Sequence, residues 1–211
     1  MIKNLKLIKY GYQFRLNIIC SFVFMLLGIF SIIYVDIYKV PSICIFIYCS
    51  FLFFLQTGST LTYSNVIKSS PKYREFYMGL QRIINISSFV YSVGLLLIVR
   101  IIQADNISQF AGNMGKELVV AGMEYFIIVL YMVFAYKFFV VSMVLFCAAT
   151  VLMNAAVSFI FAPYNFTLLQ GIGIIALFFI LTITLSEIIT RAIYKVQPSR
   201  LAQSASLRGY I

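Results

Sequence analysis

Residues 168–189 read LLQGIGIIALFFILTITLSEII and form a long, almost uninterrupted apolar run. It carries one charged side chain, Glu187, near its end. A helix needs about 20 mostly apolar residues to cross the hydrocarbon core of a bilayer. The stretch therefore predicts a transmembrane helix.

Five earlier stretches have the same character, at residues 17–35, 41–63, 83–102, 118–136 and 138–161. The 211-residue chain is 63% hydrophobic and 10% charged, with a mean hydropathy of +1.00. This apolar surface exceeds what one water-soluble core could hide. We predict an all-α, polytopic membrane protein with about six transmembrane helices. The fourth and fifth spans are joined almost without a loop, which predicts either a tight hairpin or a later start for one of them.

The predicted organisation has three parts. Residues 1–16 form an amphipathic helix on the membrane surface, residues 17–189 form the transmembrane domain, and residues 190–211 form a basic cytoplasmic tail. A cytoplasmic loop at residues 66–82 joins the second and third spans. In residues 1–16, apolar side chains recur three or four positions apart, with lysines largely elsewhere on the helical wheel. This pattern fits either a dedicated interfacial "elbow" helix or an ordinary basic flank that sets topology.

Basic residues indicate how the chain is oriented, because positive charges concentrate in cytoplasmic loops. With the N-terminus inside, the external set is Lys39, Arg100 and Lys116. The internal set is Lys3, Lys6, Lys9, Arg15, Lys68, Lys72, Arg74, Arg82, Lys137, Arg191, Lys195, Arg200 and Arg208. We therefore expect both termini in the cytoplasm. The cations lie between apolar runs instead of forming one polar face, so nucleic-acid binding is not expected.

Labelling of single cysteines tests this orientation. In a background free of the four native cysteines, a cysteine at Ser108 should react with an impermeant thiol reagent in intact cells. A cysteine at Ser69 should react only after the membrane is opened, because the inner loop is shielded. Labelling at position 69 but not at position 108 would reverse the topology.

A short helix is predicted within the cytoplasmic loop. Ser70 suits its N-cap, Pro71 its first position and Gly79 its end. Three aromatic side chains fall on one side of this helix. They are Tyr73, Phe76 and Tyr77. Such an aromatic cluster either enters a groove on another protein or lies against lipid headgroups.

This order of parts resembles the permease subunits of type-2 ABC transporters, especially the small bacterial permeases that export amphipathic peptides or confer resistance to them. The parts are the surface helix, the capped loop helix, six spans and the basic tail after Arg191. The resemblance implies that the loop helix couples to an ATPase subunit through Tyr73, Arg74, Glu75, Phe76 and Tyr77. It also implies a second permease subunit, identical or different, and a place in the bacterial plasma membrane. The family often has a re-entrant segment between spans five and six, for which only residues 162–167 are available here.

ATP chemistry is expected on another chain, because the sequence lacks the GxxxxGK[ST] loop that cradles nucleotide phosphates. The resemblance assigns ATP and Mg²⁺ to a separate ATPase subunit, and we expect no cofactor on this chain. The absence of histidine and of cysteine ligand spacing predicts neither a metal site nor a catalytic residue. The expected function is the permease subunit of an ABC exporter for hydrophobic or amphipathic peptides. The alternative is a substrate-capture subunit of an energy-coupling-factor vitamin importer, which also has about six spans.

Polar side chains inside predicted spans are candidate functional residues, because they are costly in lipid. Glu124 lies near the depth of Arg100, which predicts a structural ion pair, with substrate passage or proton coupling as the other roles for Glu124. Near the end of the last span, Glu187 and Arg191 predict a pair one turn apart. Span five carries a stripe at four-residue steps, which indicates helix packing, including a dimer contact, or pore lining. The stripe is Thr150, Asn154, Ser158 and Ala162.

Overall fold

The computed structural model describes residues 14–34, 45–51, 71–104, 107–135, 137–161 and 163–196. This part of the chain is all-helical and holds five helices that are long and apolar enough to cross a membrane. They are α1 (Phe14–Tyr34), α2 (Tyr73–Gln103), α3 (Ile107–Ala135), α4 (Phe139–Ala156) and α5 (Leu168–Ile193). The prediction of an all-α membrane protein is confirmed.

Some predicted elements fall on residues outside the described ranges. Residues 45–51 are helical and belong to the second predicted span, whose other residues lie outside those ranges. The same holds for most of the surface helix at residues 1–16 and for the tail beyond residue 196. The count of six spans and the domain boundaries therefore stay predictions.

α2 corrects the prediction of a separate loop helix. The sequence predicted one helix that ends at Gly79 and a new span from residue 83, but α2 runs unbroken from Tyr73 to Gln103. A Cβ added at Gly79 would meet no atom within 4 Å, so this glycine simply occupies an open side of the helix. The 31 residues of α2 extend about 46 Å at 1.5 Å per residue. Since the hydrocarbon core is about 30 Å thick, α2 is longer than an upright crossing requires.

α3 also begins earlier than the sequence predicted. The sequence predicted this span from residue 118, whereas the structure makes residues 107–117 the first turns of α3 itself. At its other end, the backbone N–H groups of Lys137 and Phe138 donate to the carbonyl of Phe134 at 3.0 and 2.8 Å. These bonds close the tight hairpin between α3 and α4.

α3 is the central helix and packs most extensively against α5. The two backbones touch in the N-terminal parts of both helices, because a Cβ on Gly171 would lie only 2.4 Å from the carbonyl oxygen of Gly115. A Cβ on Gly115 would lie 2.2 Å from the carbonyl oxygen of Phe166. Small residues allow this close approach between membrane helices. The crossing therefore depends on glycine at both positions.

The connection from α4 to α5 is short. A π-helical turn, Val157–Phe161, follows α4, and residues 163–167 form an irregular connection. Thr167 then starts α5 with a capping box, in which the Gln170 N–H donates to Thr167 Oγ1 at 3.3 Å and the Thr167 N–H donates to Gln170 Oε1 at 3.0 Å. Residues 163–167 thus contain no re-entrant helix like the segment that type-2 ABC permeases often have between spans five and six.

Candidate functional site

An ion pair joins the ends of α2 and α3. Arg100 Nη2 lies 2.7 Å from Glu117 Oε1, and Arg100 Nε donates to Glu117 Oε2 at 2.8 Å. Arg100 Nη1 also donates to Gln103 Oε1 at 2.7 Å. The Glu117 side chain is only 2% exposed. This bidentate, buried geometry is the strong form of an arginine–carboxylate contact, and it clamps the α2–α3 hairpin.

The pair corrects the prediction that Arg100 binds Glu124. Glu117 and Glu124 are seven residues apart on α3, about 10 Å along the helix axis. The sequence placed the start of this span at residue 118, which left Glu117 in a loop and made Glu124 the first available carboxylate. Because α3 begins at Ile107, Glu117 lies on the helix and meets Arg100.

Glu124 lies deeper along α3 and is 1% exposed. Cys49, in the helical 45–51 segment, lies near its carboxylate. Tyr48 of the same segment donates its hydroxyl to the carbonyl of Ala121 at 2.8 Å. These contacts place the 45–51 segment against the middle of α3. A role for Glu124 in substrate passage or proton coupling stays a prediction.

A seam of buried polar side chains runs between α2 and α5, and we call it the polar seam. Its members are Asn85, Ser88 and Ser92 on α2 and Thr182, Ser186 and Thr190 on α5. Asn85 Nδ2 donates to Ser186 Oγ at 2.7 Å, and the Tyr125 hydroxyl of α3 donates to the Asn85 carbonyl at 3.0 Å. Each member is 5% exposed or less. The polar seam is therefore closed to lipid.

Sequence reasoning missed the polar seam, although a signal was present. Residues 182, 186 and 190 repeat at four-residue steps, and residues 85, 88 and 92 repeat at steps of three and four. Aromatic rings close the seam toward the middle of the bundle, where the centroids of Phe89 and Phe179 lie 4.4 Å apart and those of Phe89 and Tyr125 lie 5.1 Å apart. Hydroxyl and amide groups of this kind suit hydrogen bonding and not acid–base catalysis.

The described members of the predicted stripe, Thr150, Asn154 and Ser158, are half-buried or exposed. Met153 and Val157, together with Val120 of α3, form the buried contact between these helices. Asn154 is half-buried, and Ser158 is exposed within the π-helical turn. Packing inside this chain therefore depends on the apolar neighbours of the stripe. A dimer contact or pore lining through Asn154 and Ser158 stays a prediction.

The start of α2, the α3–α4 connection and the end of α5 meet at one end of the bundle, which we call the basic end. The Arg74 guanidinium lies 5.4 Å from the centre of the Tyr194 ring. Lys137 Nζ lies 5.7 Å from the centre of the Tyr77 ring and donates to the carbonyl of Val196. Cations over aromatic rings are attracted to them, so these contacts brace the first turns of α2.

The predicted coupling residues divide into two groups at the basic end. Phe76 packs against a buried cluster of Leu80, Ile84 and Met132. Tyr73 and Tyr77 are partly buried, with ring centres 6.0 Å apart. Arg74 and Glu75 are exposed. The aromatic cluster, predicted to meet a partner or headgroups, thus packs largely within this chain, and a partner would meet the two charged residues.

Glu187 on α5 is shared by two arginines. Arg82 Nη2 of α2 lies 2.7 Å from Glu187 Oε1, and Arg191 Nη2 lies 3.6 Å from Glu187 Oε2. The pair of Glu187 with Arg191, predicted from their spacing, is confirmed. The contribution of Arg82 was not predictable from spacing because it is distant in sequence.

The helical fold and the positions of the charged residues together identify this chain as a multi-pass, all-helical membrane protein. Among the described residues, no group of three or more histidine, cysteine, aspartate or glutamate side chains could hold a metal ion. A scan against protein-family models, a search of curated proteins and a search of solved structures each found no match.

Proposed function

We propose that this chain is the transmembrane permease subunit of an ABC exporter that moves hydrophobic or amphipathic peptides. In this proposal a separate ATPase subunit supplies the energy, and a second permease subunit completes the transporter. The observation that supports it most is the unbroken course of α2 from its first turn at the basic end to the polar seam. An unbroken helix can transmit a movement from its exposed start into the membrane.

The start of α2 is suited to receive such a movement. Arg74 and Glu75 offer charges of both signs to a partner, while Phe76 anchors the same two turns to the end of α3 through Met132. Asn85 lies twelve residues after Tyr73, about 18 Å farther along the same helix. A displacement of the first turn would therefore reach the polar seam without crossing a loop.

The polar seam is a candidate path for an amphipathic substrate. Separation of α2 from α5 would break the bond between Asn85 and Ser186 and uncover hydroxyl and amide groups together with the rings of Phe89 and Phe179. A surface that combines polar groups with aromatic rings matches the two faces of an amphipathic peptide. In the closed state the bond between Asn85 and Ser186 joins the two helices, and the hydroxyls of Ser88 and Thr182 donate to backbone carbonyls of their own helices.

Copurification of ATPase activity tests the proposal. The tagged chain, isolated from the membranes of its own cells, should copurify with an ATPase. The double variant Arg74→Glu/Glu75→Lys should copurify with at least about tenfold less ATPase activity, because reversed charges repel a complementary surface. Ile98→Ala is the matched control, since this exposed residue lies on an apolar part of the same helix, away from its first turns. It should keep the full activity.

Phe76→Ala separates docking from folding. Because Phe76 packs inside the chain, its loss should lower the unfolding temperature of the isolated chain, with a cost on the order of 2 kcal/mol.

A wild-type chain that copurifies with no ATPase would contradict the proposal, and so would full ATPase activity with the charge-reversed variant. Cells that lack the chain should also become more sensitive to amphipathic peptides, whereas loss of a vitamin importer would leave that sensitivity unchanged.

A further inference from the structure

Two arginines from different helices border one carboxylate at the basic end. Arg82 and Arg191 contact different oxygens of Glu187, so a single negative charge lies between two positive ones. We call these three residues the arginine pair site. It keeps a net charge of +1, and both guanidinium groups are held within reach of the same small anion.

The two guanidinium groups are also accessible. The side chain of Arg82 is 58% exposed and that of Arg191 is 61% exposed, whereas Glu187 is 23% exposed. Each guanidinium carries five N–H donors in one plane, and only some of them point to Glu187. The remaining donors are suited to phosphate oxygens, which a planar guanidinium binds in a bidentate manner.

The surface beside the arginine pair site is apolar and faces lipid. Ile86 and Val90 follow Arg82 by one and two turns of α2, and they are 40% and 64% exposed. Ile188, which directly follows Glu187 on α5, is 57% exposed. A ligand that fits both surfaces has an anionic head and hydrocarbon chains, which is the chemistry of an anionic phospholipid.

We propose that Arg82, Glu187 and Arg191 bind the phosphate of an anionic phospholipid, with its acyl chains along Ile86, Val90 and Ile188. Basic pockets between transmembrane helices bind anionic headgroups on the cytoplasmic side of membranes. The site does not depend on an ATPase partner, so it stands apart from the proposed function. The bound lipid bridges α2 and α5 beside the polar seam and holds that contact closed.

The test measures retention of phosphatidylglycerol by the purified full chain in mixed micelles with phosphatidylcholine, read by native mass spectrometry. The triple variant Arg82→Gln/Glu187→Gln/Arg191→Gln removes the site without leaving a lone charge. It should bind phosphatidylglycerol about tenfold more weakly or worse, because each surface cation contributes about a few-fold in affinity. Phosphatidylcholine should not distinguish the variant from the wild-type chain.

Arg74→Gln is the matched control, because it also lowers the net charge of the basic end by one. It should stay within about twofold of the wild-type affinity. Equal losses in Arg74→Gln and the triple variant would show diffuse attraction to the basic end and overturn the site. Unchanged retention in the triple variant would overturn it as well.

The variant Glu187→Gln distinguishes lipid binding from a purely structural role of the arginine pair site. It releases both guanidinium groups and should tighten binding of phosphatidylglycerol, whereas loss of a structural ion pair would lower stability without any gain in binding.

Inorganic phosphate and glycerol phosphate distinguish a free anion from a lipid. If either binds as tightly as phosphatidylglycerol, the apolar surface contributes nothing and the lipid assignment is wrong.

Discussion

Gly171→Ala is expected to destabilise the chain by about 3 kcal/mol, at the upper end of the cost of overpacking a core. The added Cβ would lie 2.4 Å from the carbonyl oxygen of Gly115 and 2.8 Å from its Cα. Both obstructing atoms belong to the backbone of α3, so no change of rotamer can relieve the clash. α5 must instead move away from α3 along their main contact. Thermal unfolding of the purified chain in detergent measures the loss.

Gly173→Ala is the control for this substitution. Gly173 lies two residues farther along α5, and a Cβ there would meet no atom within 4 Å. Alanine should therefore be neutral or stabilise the helix by up to about 1 kcal/mol, since it has the higher helix propensity. If Gly171→Ala and Gly173→Ala behave alike, the backbone contact between α3 and α5 does not exist as described.

Arg100→Met is expected to cost about 3–5 kcal/mol, the usual range when one partner of a buried ion pair is removed. It leaves the carboxylate of Glu117, which is 2% exposed, without its bidentate partner. The double variant Arg100→Met/Glu117→Gln should recover much of that loss, because no uncompensated charge remains. A double-mutant cycle on thermal stability measures the coupling.

Two further cycles serve as controls for this pair. Arg100 and Glu124 should give additive effects, since Arg100 bonds Glu117 and Gln103 instead. Arg82 and Glu187 should couple by less than about 1 kcal/mol, because more than half of the Arg82 side chain is exposed to screening. A strong coupling of Arg100 with Glu124 would restore the pairing that the sequence predicted and refute the one in the structure.

The helices of the bundle were largely predictable, whereas their ends were not. An apolar run of about 20 residues marks the part of a helix that lies in lipid. It does not show how far the helix continues into water, because polar residues suit a projecting turn and a loop equally well. For this reason a span was predicted from residue 118 although α3 begins at Ile107, and Gly79 was predicted to end a helix although α2 continues through it.

Site residues were predictable where the contact is local. The pair of Glu187 with Arg191 follows from helical spacing, and the structure contains it. The partner of Arg100 depends on where α3 begins, and the addition of Arg82 to Glu187 depends on two helices far apart in sequence. Neither follows from spacing, because each requires the relative position of separate helices.

Local composition and helical periodicity were enough to predict a helical, multi-pass chain with positive charge concentrated between its spans. Which polar groups meet followed only from the packing of the helices. It placed Glu117 against Arg100, joined Asn85 to Ser186 across the polar seam, and turned Phe76 inward at the basic end. The physical reason is that lipid selects apolar residues regardless of their partners, whereas hydrogen bonds and ion pairs depend on distances of a few ångströms between helices.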